Sequence, residues 1–99
     1  MNKTFLDKIS KYNNDVILLE GTREITEIES TLLSQIGKEL ATVVPNSVFR
    51  SGNAPGSDAS FIKGVNKVAD ANIELVLPFS NHRSHQKNST PNASIISLE

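Results

Sequence analysis

Cysteine and tryptophan are absent from this 99-residue chain, and tyrosine and methionine occur once each. Without cysteine there is no disulfide framework, no thiolate metal site and no thiol nucleophile. One tyrosine and four phenylalanines leave few platforms on which the bases of a single strand would stack. Neither sign of charge dominates, because ten Lys and Arg face eleven Asp and Glu for a net charge of −1. That balance argues against broad attraction to duplex DNA or acidic membranes and leaves room for a local cationic site. No apolar run approaches transmembrane length, and Met1 to Lys8 carries charges where a signal peptide needs an apolar core. The expectation is a soluble, cytoplasmic protein without a membrane partner. Asn88-Ser89-Thr90 and Asn92-Ala93-Ser94 match the glycosylation acceptor pattern, which reads as chance without a secretory signal.

What is present alternates between two periods. Phe5, Leu6, Ile9 and Tyr12 recur at helical spacing and predict a short amphipathic helix over 4–13, broken by Asn13-Asn14-Asp15. Val16-Ile17-Leu18-Leu19 is a continuous β-prone run, the pattern of a strand buried on both faces. Ile28, Leu32, Leu33, Ile36, Leu40 and Val43/Val44 mark one stripe of a helix from about 26 to 44. Thr26-Glu27-Ile28-Glu29 fits a capping box at its start, and Pro45 lies past its end. Ser47-Val48-Phe49 opens a second strand. A further helix over 57–71 would bury Phe61, Ile62, Val65, Val68 and Ala69, with Ser57 or Asp58 as its cap. Ile73 to Leu77 is a third strand, stopped by Pro78.

This order predicts one small α/β domain over 1–80, a Rossmann-like three-layer βαβαβ fold with a parallel sheet. A polar loop or tail follows over 81–99, in which Ile95, Ile96 and Leu98 begin an element the chain barely completes. Three strands leave apolar surface uncovered, so the chain is expected to be truncated, to lack a partner element, or to be completed as a homo-oligomer. Phe5, Leu6 and Tyr12 are candidates for that contact. There is no internal repeat.

The chemistry-bearing residues gather where strands would hand over to helices. Phe49-Arg50-Ser51-Gly52-Asn53-Ala54-Pro55-Gly56-Ser57-Asp58 reads as strand, glycine-rich turn, helix, the local arrangement of a phosphate site. Glu20-Gly21-Thr22-Arg23 repeats that context after the first strand. Ligands of open α/β sheets bind outside the carboxyl ends of the strands, where both loops and the segment from Phe79 to Arg83 would meet. The ligand-binding candidates are Gly21, Thr22, Arg23, Ser51, Gly52, Asn53, Gly56, Ser57 and Asp58. Arg23 offers a planar bidentate cation suited to phosphate, or else pairs with Glu24 or Glu27. Asp58 accepts from a ribose hydroxyl or caps its helix. Arg50, at a strand end, reads as the partner of a carboxylate. His82-Arg83-Ser84-His85 reads as a solvated loop. No Ser/His/Asp order, paired carboxylates or metal-ligand spacing stands out, which argues against an enzyme and points to no particular cofactor or metal.

The span from Val16 to Phe79 resembles the SLOG superfamily of Rossmann-like nucleotide-binding proteins. That group includes the DNA-processing protein A family and the Lonely Guy (lysine-decarboxylase-like) phosphoribohydrolases. Gly21-Thr22-Arg23 is similar to its Gly-Ser-Arg after strand one. Arg50 to Asp58 is similar to its Ser-Gly-Gly-Ala-x-Gly-Ala-Asp loop, with Phe61 and Gly64 at matching places in the following helix. Leu77-Pro78-Phe79 is similar to the Leu-Pro-Trp that closes strand three. Asn53 stands where a glycine is usual, Thr22 where a serine is, and Glu20 where a small or apolar residue is common. The Pro-Gly-Gly-x-Gly-Thr-x-x-Glu motif of the phosphoribohydrolases is absent from the sequence. The resemblance implies a pocket for a nucleotide-like small molecule at Gly21–Arg23 and Gly52–Asp58, with no inherited reaction. Three alternatives stand beside it. They are a single-stranded nucleic-acid module of DNA-processing type, a nucleotide N-glycosidic hydrolase using Glu20 or Asp58, and a non-catalytic assembly subunit.

Overall fold

A computed structural model describes residues 3–52, 54–77 and 93–98. Four strands run parallel in one sheet, in the order in which the chain makes them: β1 (Val16–Leu18), β2 (Val48–Ser51), β3 (Asn72–Leu77) and β4 (Ser94–Ser97). Among the described residues three helices accompany them: α1 (Lys3–Ile9), continued by a 3₁₀ turn over Ser10–Tyr12, α2 (Glu27–Val43) and α3 (Ser57–Val65). The expected small α/β parallel-sheet fold is therefore present. The sheet has one strand more than expected, because Ser94–Ser97 leaves the polar stretch to pair with β3 in the register Leu75 to Ile95. No helix among the described residues is long and apolar enough to cross a membrane.

Period-two alternation sets the core. Phe49, Ile73, Leu75 and Leu77 are buried on one sheet face together with Leu40, Ala41 and Val44 of the α2 end and Ile62 and Val65 of α3. The other face carries Val16, Leu18, Arg50, Glu74 and Ile96. Arg50 and Glu74 are register partners on β2 and β3, and the guanidinium bonds to the carboxylate, the structural pairing expected of Arg50. Among the described residues the helices packed on the sheet form one layer, over the Phe49 face. Near the sheet's amino end, the Ser47 hydroxyl donates to the Tyr12 carbonyl at 2.7 Å and the Asn46 N–H to Asn13 Oδ1 at 2.9 Å. The break at Asn13-Asn14 is made by Asn14, at φ 82° in the left-handed region that asparagine tolerates.

Two expectations about burial are corrected. β1 is an edge strand, not one buried on both faces: Val16 is 51% and Leu18 57% exposed, and Leu19 just beyond its end is the buried residue. The anticipated α2 stripe also fails at its start, where Ile28 is 75% and Leu32 52% exposed. The fully buried positions of α2 are Ser34, Gly37, Leu40 and Ala41. A Cβ added to Gly37 would stand 2.2 Å from the Phe61 carbonyl oxygen, and one added to Gly64 would stand 1.7 Å from that of Ser34. The two helices thus meet backbone to backbone through small residues, and α2 is rotated to serve that crossing. α3 is shorter than its pattern, ending at Val65, so Ala69 lies outside it and is exposed.

Candidate functional site

The capping box places α2. Thr26 Oγ1 accepts from the Glu29 N–H at 3.1 Å, and Glu29 Oε1 accepts from the Thr26 N–H at 2.9 Å. Hydrogen bonding to its carboxylate, from the Thr26 backbone first and the Thr26 side chain second, holds the Glu29 carboxyl below its ordinary pKa. The segment between β1 and this cap is the first candidate loop. The second lies between β2 and α3, and the pairing of β1 with β2 sets the two side by side.

They are joined by a specific seam. Asp58, buried in the first turn of α3, accepts the Gly21 N–H on Oδ1 at 3.0 Å. The Ser57 N–H donates to the Thr22 carbonyl at 2.9 Å. Gly56, the N-cap of α3, has φ +90° and lies so close to Arg23 that a Cβ would stand 2.3 Å from the Arg23 carbonyl oxygen. A Cβ on Gly21 would meet that of Ser57 at 2.7 Å. The expected cap by Ser57 or Asp58 is corrected: both lie inside the first turn of α3, and no side-chain bond caps it. Asp58 does a different task, holding one loop to the other across 37 residues. The sequence reading missed that role because a carboxylate in a first helical turn looks like a cap.

The structure therefore brings together Gly21, Thr22 and Arg23 with Gly56, Ser57 and Asp58. The N–H groups of Gly21 and Ser57 are engaged in the seam itself. Ala59 donates to the Ala54 carbonyl at 3.1 Å, which satisfies a further donor of the α3 start. Ser51 is buried at the β2 end, and Asn53 lies outside the described residues, as do Phe79 to Arg83 and the two histidines. Gly52 differs from the seam glycines. Its φ is not positive, and a Cβ there would have ordinary contacts, 3.8 Å from Asp58 Oδ2 and 3.9 Å from the Val76 carbonyl oxygen. No contact among the described residues requires a glycine at 52.

Outside the seam, Arg23, Thr26, Ser30, Ser60 and Lys63, with one carboxylate, Glu27, line a groove of about 440 Å³ that opens to solvent between the starts of α2 and α3. Ser30 and Ser60 join their hydroxyls at 2.7 Å across it. Among the described residues no carboxylate pairs with the guanidinium of Arg23, so neither Glu24 nor Glu27 takes it. A cleft of equal volume between α1 and α2 is lined by Leu6, Lys38, Glu39 and Val43 and is mostly apolar. Two openings among the described residues combine two cations with several hydroxyls: the Arg23 groove, and a smaller pocket of about 160 Å³ lined by Ser30, Thr31, Ser34, Lys63 and Lys67. That set suits an anion with several acceptor oxygens. No family model, curated protein or solved structure matches the chain.

Proposed function

We propose that the chain is a SLOG-like domain that binds a nucleotide or nucleotide derivative through phosphate, at the joined loops 21–23 and 52–58. The observation that carries this reading is the groove beside the seam, where Arg23, without a carboxylate partner among the described residues, stands with Lys63 and the hydroxyls of Thr26, Ser30 and Ser60. A turn glycine is explained by left-handed φ or by close packing, which is the case for Gly56. Among the described residues Gly52 has neither reason, and a strand's carboxyl end is where a ligand approaches. Because the seam engages Gly21 and Ser57, the phosphate would be met chiefly by side chains. Arg23 supplies a bidentate cation, Thr22 and Thr26 supply hydroxyls, and Lys63 supplies a second positive charge from α3. Asp58 stays with the Gly21 N–H and takes no part in chemistry, so the proposal includes no reaction.

Titration calorimetry with adenosine and its mono-, di- and triphosphates tests the proposal. Phosphorylated forms should bind and adenosine should not. Arg23→Ala should weaken binding by about 1.5–3 kcal/mol, the scale of a charged hydrogen bond. Gly52→Val should abolish it with the circular dichroism spectrum unchanged. His82→Ala and His85→Ala should leave it intact. Equal affinity for adenosine, together with normal binding by Arg23→Ala, would reduce both loops to turns and leave the assembly reading in place.

A further inference from the structure

Among the described residues the outer edge of β1 has no partner strand. Within the β1–β2 ladder the Val48 N–H reaches the Asp15 carbonyl at 3.0 Å and the Leu19 N–H reaches the Arg50 carbonyl at 2.9 Å. In a parallel ladder with the register Val16 to Val48, odd-numbered residues of β1 turn their backbone groups to β2. Val16 and Leu18 therefore turn both N–H and C=O away from the sheet. Natural edges are guarded by lysine, proline or a bulge. Val16-Ile17-Leu18 has none of these, and its register with β2 is unbroken. On the opposite, helix-covered face further apolar surface is exposed. Ile28 and Leu32 lie on the side of α2 opposite Ser34 and Gly37, which meet α3, and so on the flank nearest β1.

We infer that β1 pairs antiparallel with β1 of a second copy about a two-fold axis at Ile17, fusing two four-stranded sheets into one of eight. The edge is complementary to itself. With Ile17 opposite Ile17 of the other copy, Val16 faces Leu18 in both halves, and each such pair exchanges two backbone hydrogen bonds. Four apolar side chains then cluster on the outer sheet face, and Asp15 stands opposite Leu19, so no like charges meet. A second copy fits better than a loose peptide. Three residues of edge offer too few bonds to offset the ordering of a disordered strand, whereas β1 of another copy is already ordered.

The test is the mass of the full chain by sedimentation from micromolar to millimolar concentration. The expected result is a transition from 10.8 kDa to twice that mass, with no further growth. Leu18→Pro removes an outward N–H while leaving the β2 ladder its bonds, and Leu18→Lys guards the edge with charge. Both should stay monomeric where the parent chain is dimeric, while Ile96→Lys on the far strand should still dimerise. Ile17→Cys gives a clean readout in a chain without cysteine. The two-fold sets the residue against its own copy at a separation of about 4.5 Å, within reach of a disulfide, and mild oxidation should give a covalent dimer. A monomer at every concentration would overturn the inference, as would a dimer untouched by Leu18→Lys or one in which Cys at 17 does not cross-link. Mass that keeps rising with concentration would mean head-to-tail pairing of unlike edges and would overturn it too.

Discussion

The two sides of α2 are built on opposite terms. Toward α3, Gly37 lets the backbones approach so closely that an added Cβ would meet the Phe61 carbonyl, with Ser34 and Ala41 buried on the same side. Away from α3, Ile28 and Leu32 stand largely in water. Interior glycines cost a helix about 1 kcal/mol each relative to alanine, so Gly37 in α2 and Gly64 in α3 are held by the crossing and not by local preference. Apolar residues therefore need not mark the better-packed side of a helix. Small ones do so wherever two backbones have to meet.

The largest break should come from Gly64→Val. Its added carbons would overlap the Ser34 carbonyl, a backbone atom that cannot turn aside, and overpacking of this kind costs about 1–3 kcal/mol or more. On a chain this small, about 3 kcal/mol would lower Tm by roughly 12–24 °C in a thermal melt. Gly56→Ala should follow, at about 2 kcal/mol, because left-handed strain and the Arg23 carbonyl both oppose it. Hydrogen exchange should quicken at Gly21 and Ser57 and leave the α2–α3 crossing unchanged, which would separate the loop seam from the helix seam.

Thr26→Ala should cost about 1 kcal/mol, the usual loss for an N-cap. The Glu29 half of this box depends on pH. Its folded pKa is depressed, so its contribution is present above the unfolded carboxylate pKa and is lost as pH falls through the lower folded value. The difference in Tm between the parent chain and Glu29→Gln should shrink as pH is lowered through that window. Smallest of all is Leu32→Gln, expected within about 0.5 kcal/mol in dilute solution. A larger loss on concentration would show that the exposed flank of α2 is covered in the assembly.

Strands β1 to β3 and the capping box were legible because each has a strong local signature. Val16-Ile17-Leu18, Val48-Phe49 and Ile73 to Leu77 are β-prone runs, and Thr26 with Glu29 forms a fixed-spacing pair. The rotation of α2 was not legible, since hydrophobic periodicity gives weight to Ile28 and Leu32 and none to Gly37 or Ser34. Nor was the end of α3, whose apolar spacing runs on to Ala69 although the helix stops at Val65. In the candidate site, the nearness of the two loops followed from the strand–loop–helix order. The seam did not, because the bond from the Gly21 N–H to Asp58 spans 37 residues and leaves no local pattern. The contrast between Gly52 and Gly56 was equally hidden, as two glycines look alike until their surroundings are known.

Strand order that follows chain order has a consequence for how the molecule assembles. Each strand pairs with the one made just before it, so no segment waits for a distant partner to be synthesised. The first closed unit is β1, α2 and β2, complete once Ser51 has emerged, and α3 with β3 adds to an edge that already exists. Growth of this kind is stepwise, as in repeat proteins whose units contact only their neighbours. A chain that gained or lost one strand–helix unit at the β4 end would keep the pairing of the strands before it.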